Sequence, residues 1–145
     1  MALARAFHGA GCRVVIAEPH RWHLSRLSRS VDKCVCVPAP NTDEPAYLEA
    51  LARVVAHEEV DLVVPVSDET MYVGGLYDHL PAHVRLCCPP PARLLALHDK
   101  LEFVRLAARH GLEVPETCHA ADPAARALLE RTRCIVKPVW SSAGV

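Results

Sequence analysis

The stretch Leu62-Val63-Val64-Pro65-Val66-Ser67-Asp68-Glu69 decides the fold class of this chain. Its near-continuous apolar half predicts a strand over 62–66 covered on both faces, the pattern of a parallel sheet between helices. Its polar half, Ser67-Asp68-Glu69, predicts the capped start of a helix that runs to about Leu80. Working outward, the same alternation recurs. Leu3, Ala6, Phe7 and Ala10 share one face of a helix over 2–10, and Gly11 supplies its stop. Cys12 to Ala17 reads as a buried strand ending at Glu18-Pro19, and Lys33 to Val37 as a shorter one closed by Pro38 and Pro40. The looser segment from His20 to Val31 carries Trp22, Leu24 and Leu27 among arginines and serines. Asn41-Thr42-Asp43-Glu44-Pro45 opens a helix whose apolar face continues through Leu48, Leu51, Val54 and Val55. Val84 to Cys88 is a further strand, ended by Pro89-Pro90-Pro91.

Strands alternating with helices predict an α/β fold, a doubly wound sheet with parallel pairing. The chain shows neither an internal repeat nor a low-complexity linker. The triple proline marks a boundary near residue 90. Residues 91–111 then read as a helical connection and 112–145 as the start of a second unit.

The chain has 145 residues, 51% hydrophobic and 23% charged, with a formal net charge of −1. That describes an ordinary globular protein with a moderate core. The basic residues are scattered rather than striped, so no electrostatic footprint for nucleic acid or an anionic membrane is expected. No apolar run approaches the ~20 residues of a transmembrane helix. The first 17 residues hold Arg5 and Arg13 without an acid, as transit peptides do. Gly11 followed by the run Val14 to Ile16 reads better as helix, stop, strand. The seven cysteines form no Cys-x-x-Cys. An odd count in hydrophobic stretches points to reduced thiols used as small core residues, and so to a cytoplasmic setting. His20 and His23 can share a metal only on a helix, and no third ligand follows, so solvated histidines are expected.

Two lysines stand in distinctive settings. His98-Asp99-Lys100 opens an amphipathic helix ended by Gly111, followed by Val114-Pro115-Glu116-Thr117. Ile135-Val136-Lys137-Pro138-Val139-Trp140 places a second lysine at the end of a β-rich run, with Ser141, Ser142, Ala143 and Gly144 after it. A lysine at a strand's C-terminal end aims its ammonium into the cleft where open α/β sheets bind ligands. Small residues beyond it let backbone N–H groups approach a phosphate, and serine hydroxyls add donors.

This order of features resembles the ATP-grasp superfamily, and most closely its carbamoyl-phosphate-synthase-like carboxylate–amine ligases. Val64-Pro65-Val66-Ser67-Asp68-Glu69 and His98-Asp99-Lys100 match the run found in that group. The resemblance implies that residues 1–90 are a Rossmann-like pre-ATP-grasp domain and that 112–145 open the α+β nucleotide-binding subdomain. It implies that Lys100 and Lys137 contact ATP phosphates, with Ser141, Ser142 and Gly144 starting the loop that folds over them. The reaction implied is ATP-dependent joining of a small-molecule carboxylate to an amine through an acyl phosphate. Asp68 and Glu69 are substrate contacts on this reading; as first-turn acids they are also expected to favour the helix dipole.

The family's pre-ATP-grasp domain begins with a strand and a glycine turn, and that strand is central in the doubly wound order. Residues 1–90 start inside the helix, so a hole in the sheet is expected. The family's Mg2+ ligands and adenine contacts fall beyond Lys137. Residues 1–145 are therefore expected to be inactive as a ligase by themselves. A non-catalytic remnant or interaction module is the alternative. More distant is an NAD-binding Rossmann protein, for which Glu18 after the second strand position is the single sign.

Overall fold

The computed structural model describes residues 1–140 and divides the chain into two compact units, Met1–Cys88 and Pro89–Val145. Among the described residues the fold is mixed α/β, with six α-helices and two small parallel sheets of two strands each.

In the first unit, helix α1 (Ala2–Gly9) ends where Gly11 takes φ +83°, and the Cys12 amide reaches back to the Phe7 carbonyl at 3.0 Å. That left-handed residue closes the helix in the way only glycine does without strain. Strand β1 (Val15–Glu18) pairs in parallel with β2 (Lys33–Cys36), Val15 opposite Lys33 and Glu18 opposite Cys36. The Asp32 carboxylate accepts from the Val14 amide at 2.7 Å and so extends the pairing at its entry. Helix α2 (Glu44–His57) starts as its sequence predicts: Asp43 accepts from the Ala46 amide at 3.0 Å, with proline in the first turn. Strand β3 (Leu62–Val63) pairs in parallel with β4 (Arg85–Leu86) across helix α3 (Thr70–Val73) and a 3-10 turn, Gly74–Leu76.

Several sequence expectations are corrected here. The strand expected over 62–66 stops at Val63. Pro65 has no N–H for a ladder, and the Val66 and Ser67 amides are both taken by the Glu69 carboxylate, at 2.7 and 3.0 Å. Ser67 and Asp68 give α3 no side-chain cap; Glu69 is its N-cap residue and uses its carboxylate behind the helix instead. The helix expected to reach Leu80 tightens to 3-10 at Gly74-Gly75, both poor helix formers. Gly75 is also where α2 comes close, since a Cβ there would meet the Leu48 Cδ1 at 2.8 Å.

The core sits on the helices rather than on the strands. Val37, Tyr47, Ala50, Leu51, Val73 and Leu76 form one buried cluster, with Leu48, Val54, Val63 and Leu86 packed around it. The α2 stripe is thus turned toward Tyr47, Ala50, Leu51 and Val55, with Leu48 and Val54 on its flank. Leu62 and Val66, expected to be covered on both sides, stay 40% and 69% exposed. On α1 the expected stripe of Leu3, Ala6, Phe7 and Ala10 is mostly exposed, and Ala4 takes the inner position.

The second unit holds α4 (Pro91–His98), α5 (Lys100–Arg109) and α6 (Pro123–Arg131). Gly111, at φ +75°, closes α5 as Gly11 closes α1, with the Leu112 amide on the Ala107 carbonyl at 3.1 Å. The strand expected over Ile135-Val136-Lys137 does not form. Both sheets belong to the first unit, so this β-prone run has no ladder partner among the described residues, and Ile135 and Val136 are 83% and 78% exposed. No helix among the described residues is long and apolar enough to cross a membrane.

Candidate functional site

The second unit brings the two lysine settings together. Asp99 separates α4 from α5 and is the N-cap of α5, its Oδ1 accepting from the Leu101 and Glu102 amides at 2.9 Å each. Lys100, the first helical residue, donates from its own amide to the Val139 carbonyl at 3.3 Å. Its Nζ lies 3.5 Å from that same oxygen. Just before the helix, the His98 ring lies 5.9 Å from the Trp140 ring, tilted by 32°. The His-Asp-Lys corner therefore holds Val139-Trp140 by three contacts, two residues after Lys137.

The chemical consequence is specific. The first amides of α5 are committed, to Asp99 and to Val139, so this helix start offers few N–H groups to an anion. Lys137 is exposed and has no hydrogen bond or ion pair among the described residues. Ser141, Ser142 and Gly144, expected in the phosphate loop, lie outside the described residues. We expect Asp99→Ala to cost α5 about 1 kcal/mol, the usual worth of such a cap. The check is amide exchange at Leu101 and Glu102, which should accelerate; unchanged protection there would show that the cap is not limiting.

Asp68 and Glu69 lie in the first unit, in the turn after β3. Asp68 is exposed, and its carbonyl accepts from the Met71 amide at 3.1 Å. Glu69 is half-buried with one carboxylate oxygen already engaged by two amides. Tyr47, on the first turn of α2, reports on the surroundings. Burial above all, then the negative charges of Glu69 and Glu18, push its phenol up to about 12. Glu18, the last residue of β1, and Glu69, the N-cap of α3, thus both act by their charge on one buried phenol.

The cysteines are all free thiols; Cys88 is buried, and burial followed by the neighbouring Cys87 pushes its thiol upward. Among the described residues no group of three or more His, Cys, Asp or Glu is placed to hold a metal ion. The Val139 carbonyl could not be picked out from sequence as the partner of Lys100, because their separation of 39 residues leaves no local signal. Comparison with protein-family models, curated proteins and solved structures finds no match to this chain.

Proposed function

We propose that this chain carries the near wall of an ATP site in an ATP-grasp carboxylate–amine ligase of the carbamoyl-phosphate-synthase-like kind. In that reading the first unit is a Rossmann-like pre-ATP-grasp domain and the second opens the nucleotide-binding subdomain. The observation that carries it is the docking of Lys100 on Val139, which sets the Asp-Lys corner beside the Lys-Pro segment. A Lys-Pro segment whose following residues dock on the Asp-Lys corner suits a polyphosphate, for which ammonium groups are good partners. The first unit offers a second support. Its two parallel pairs join strands consecutive in the chain, as positions 3-2 and 4-5 do in the doubly wound order, where position 1 separates them.

The chemistry is activation of a poor leaving group. A substrate carboxylate oxygen attacks the γ-phosphorus of ATP and ADP departs, leaving an acyl phosphate. The amine then attacks the carbonyl carbon, a proton is lost from nitrogen, and inorganic phosphate leaves. Lys100 and Lys137 would neutralise phosphate charge in the first step. Mg2+, which the family uses, finds no group of three or more His, Cys, Asp or Glu placed to hold it among the described residues. Asp68 and Glu69 are the substrate-side candidates from the first unit.

The test is titration of the isotope-labelled protein with ATP, read by amide shifts. Shifts should centre on 98–100 and 137–140. Lys100→Ala and Lys137→Ala should each weaken binding roughly five- to tenfold, from ~1 kcal/mol per charge-assisted contact. Shifts confined to the first unit, or an undiminished affinity in the double variant, would sink the reading.

A further inference from the structure

The segment that joins β1 to β2 is folded inside out. It crosses over through a 3-10 turn, Leu24–Leu27. Its polar residues turn inward: His23, Ser25, Ser28 and Ser30 are half-buried. The Nδ1 of His23 is enclosed without a hydrogen-bond partner, which corrects the expectation of a solvated histidine. The large apolar residues face out instead. Trp22, Leu24 and Leu27 are 85%, 81% and 85% exposed, more than any other large hydrophobic of the first unit. Leu24 and Leu27 open and close the 3-10 turn, and residues three apart on such a turn lie one above the other. They therefore share one outward face, with Trp22 just before it.

The charge of the segment is as one-sided as its polarity. Summed over the whole chain the charge is −1, yet between Glu18 and Asp32 there are three arginines and no acid. Arg21, Arg26 and Arg29 are all exposed, and among the described residues none of them forms an ion pair. Arg26 donates to the Arg21 carbonyl at 3.1 Å, which keeps the cations beside the apolar turn. A single exposed leucine is ordinary. An apolar cluster rimmed by unpaired charge of one sign marks an interaction surface.

We propose that this segment docks on an anionic lipid surface. Trp22, Leu24 and Leu27 enter the boundary between headgroups and acyl chains, and Arg21, Arg26 and Arg29 lie among the anionic headgroups. Each part of the composition matches a layer of the bilayer surface: tryptophan the interfacial zone, leucine the acyl edge, arginine the negative headgroups. Shape and size favour lipid over an acidic protein. The three apolar side chains stand free, each more than four-fifths exposed, so a protein would need a pocket for each, whereas a fluid bilayer moulds itself around them. They offer roughly 400 Å² of apolar surface, about half of the ~800 Å² that each side of a stable protein interface buries. Attachment to a bilayer has no such minimum, because a few inserted side chains and a few cations add up to reversible binding. The surface lies in the first unit and uses neither Lys100 nor Lys137, so it stands or falls apart from the ATP reading.

The test mixes the whole chain with vesicles of phosphatidylcholine alone, or of phosphatidylcholine and phosphatidylserine in equal parts. The chain should sediment with the second and not with the first, and added salt should release it. Trp140→Phe leaves Trp22 as the one tryptophan, and its emission should move to the blue on the anionic vesicles. Arg21→Gln, Arg26→Gln and Arg29→Gln together should weaken binding roughly a hundredfold, and Leu24→Ser with Leu27→Ser roughly tenfold or more. All five side chains are exposed, so the fold should survive, and an unchanged far-ultraviolet circular dichroism spectrum checks this. A glutamate–tyrosine copolymer stands in for an acidic protein. Binding of the copolymer in place of the vesicles, equal binding to both lipid mixtures, an unmoved Trp22 emission, or indifference to the leucine pair overturns the proposal.

Discussion

Leu76→Ala is expected to remove about 2–5 kcal/mol from the stability of the first unit, the usual cost of a buried leucine truncation. A unit of this size has on the order of 5–10 kcal/mol in total, so the variant should lose a large share of its stability and unfold at a clearly lower urea concentration. The position of the core sets this cost. Leu76 is 0% exposed and Val73 2%, and both sit on the short helical segment packed against α2. The sheet contributes only the partly buried Val63 and Leu86 around this cluster. Leu62, on β3, is 40% exposed, so Leu62→Ala should cost much less. Urea unfolding of both variants decides the point, with the midpoint moving and the slope held constant. If Leu62→Ala costs as much as Leu76→Ala, the core lies on the sheet and not on the helices.

That comparison also marks how far the sequence could be read. Local signals were legible. Asp43 caps α2, Gly11 and Gly111 take positive φ, and the strand pairs are parallel. Each depends on a few neighbouring residues whose chemistry admits one conformation. The apolar run at Leu62–Val66 misled, because β propensity describes a surface that packs well and not a backbone that must pair. Pro65 and the Glu69 carboxylate removed the amides the ladder needed. Ile135 and Val136 failed for a related reason, since strand character without a partner strand leaves an extended, exposed chain.

The candidate sites divide in the same way. Lys100 and Lys137 could be picked out by residue type and neighbours, but the docking of Lys100 on Val139 is a tertiary fact. Arg21, His23 and Arg26 looked like a polar loop. Only the 3-10 turn Leu24–Leu27 brings them together near the end of β1 and β2. Glu59 was equally silent. It takes φ +52° at the end of α2, a place usually given to glycine, and the Val60 amide closes the turn on the Val55 carbonyl at 3.0 Å. Nothing in His57-Glu58-Glu59 announces a helix stop, nor that Glu58 is the buried one.

Glu58 carries the second large expected effect, an acid-sensitive joint. Its side chain is 6% exposed, and its oxygens meet Arg13 and Lys33 at 2.5 Å each, with the His57 ring nitrogen at 3.1 Å. Arg13 also donates to the Glu58 backbone carbonyl at 3.1 Å. One carboxylate thereby ties the end of α2 to the residues entering β1 and β2, 45 and 25 positions away. Hydrogen bonds from Lys33, then Arg13, then His57, outweigh burial and hold its carboxyl at about 2, against an ordinary 4.5. Because the folded value is depressed, the unfolded chain takes up the proton first. The stabilisation is therefore complete above about pH 4.5 and is lost as pH falls toward 2. Other carboxylates add a common background, so the informative quantity is a difference. Glu58→Gln should melt at lower temperature than the parent at pH 7, because Arg13 and Lys33 lose their shared anion. The gap should then narrow steadily between pH 4.5 and 2, where the parent's own carboxylate becomes neutral. Melting curves of both proteins across that range are the measurement. A gap that stays constant with pH, or none at pH 7, would show that Arg13, Lys33 and His57 only decorate the helix end and do not fasten it.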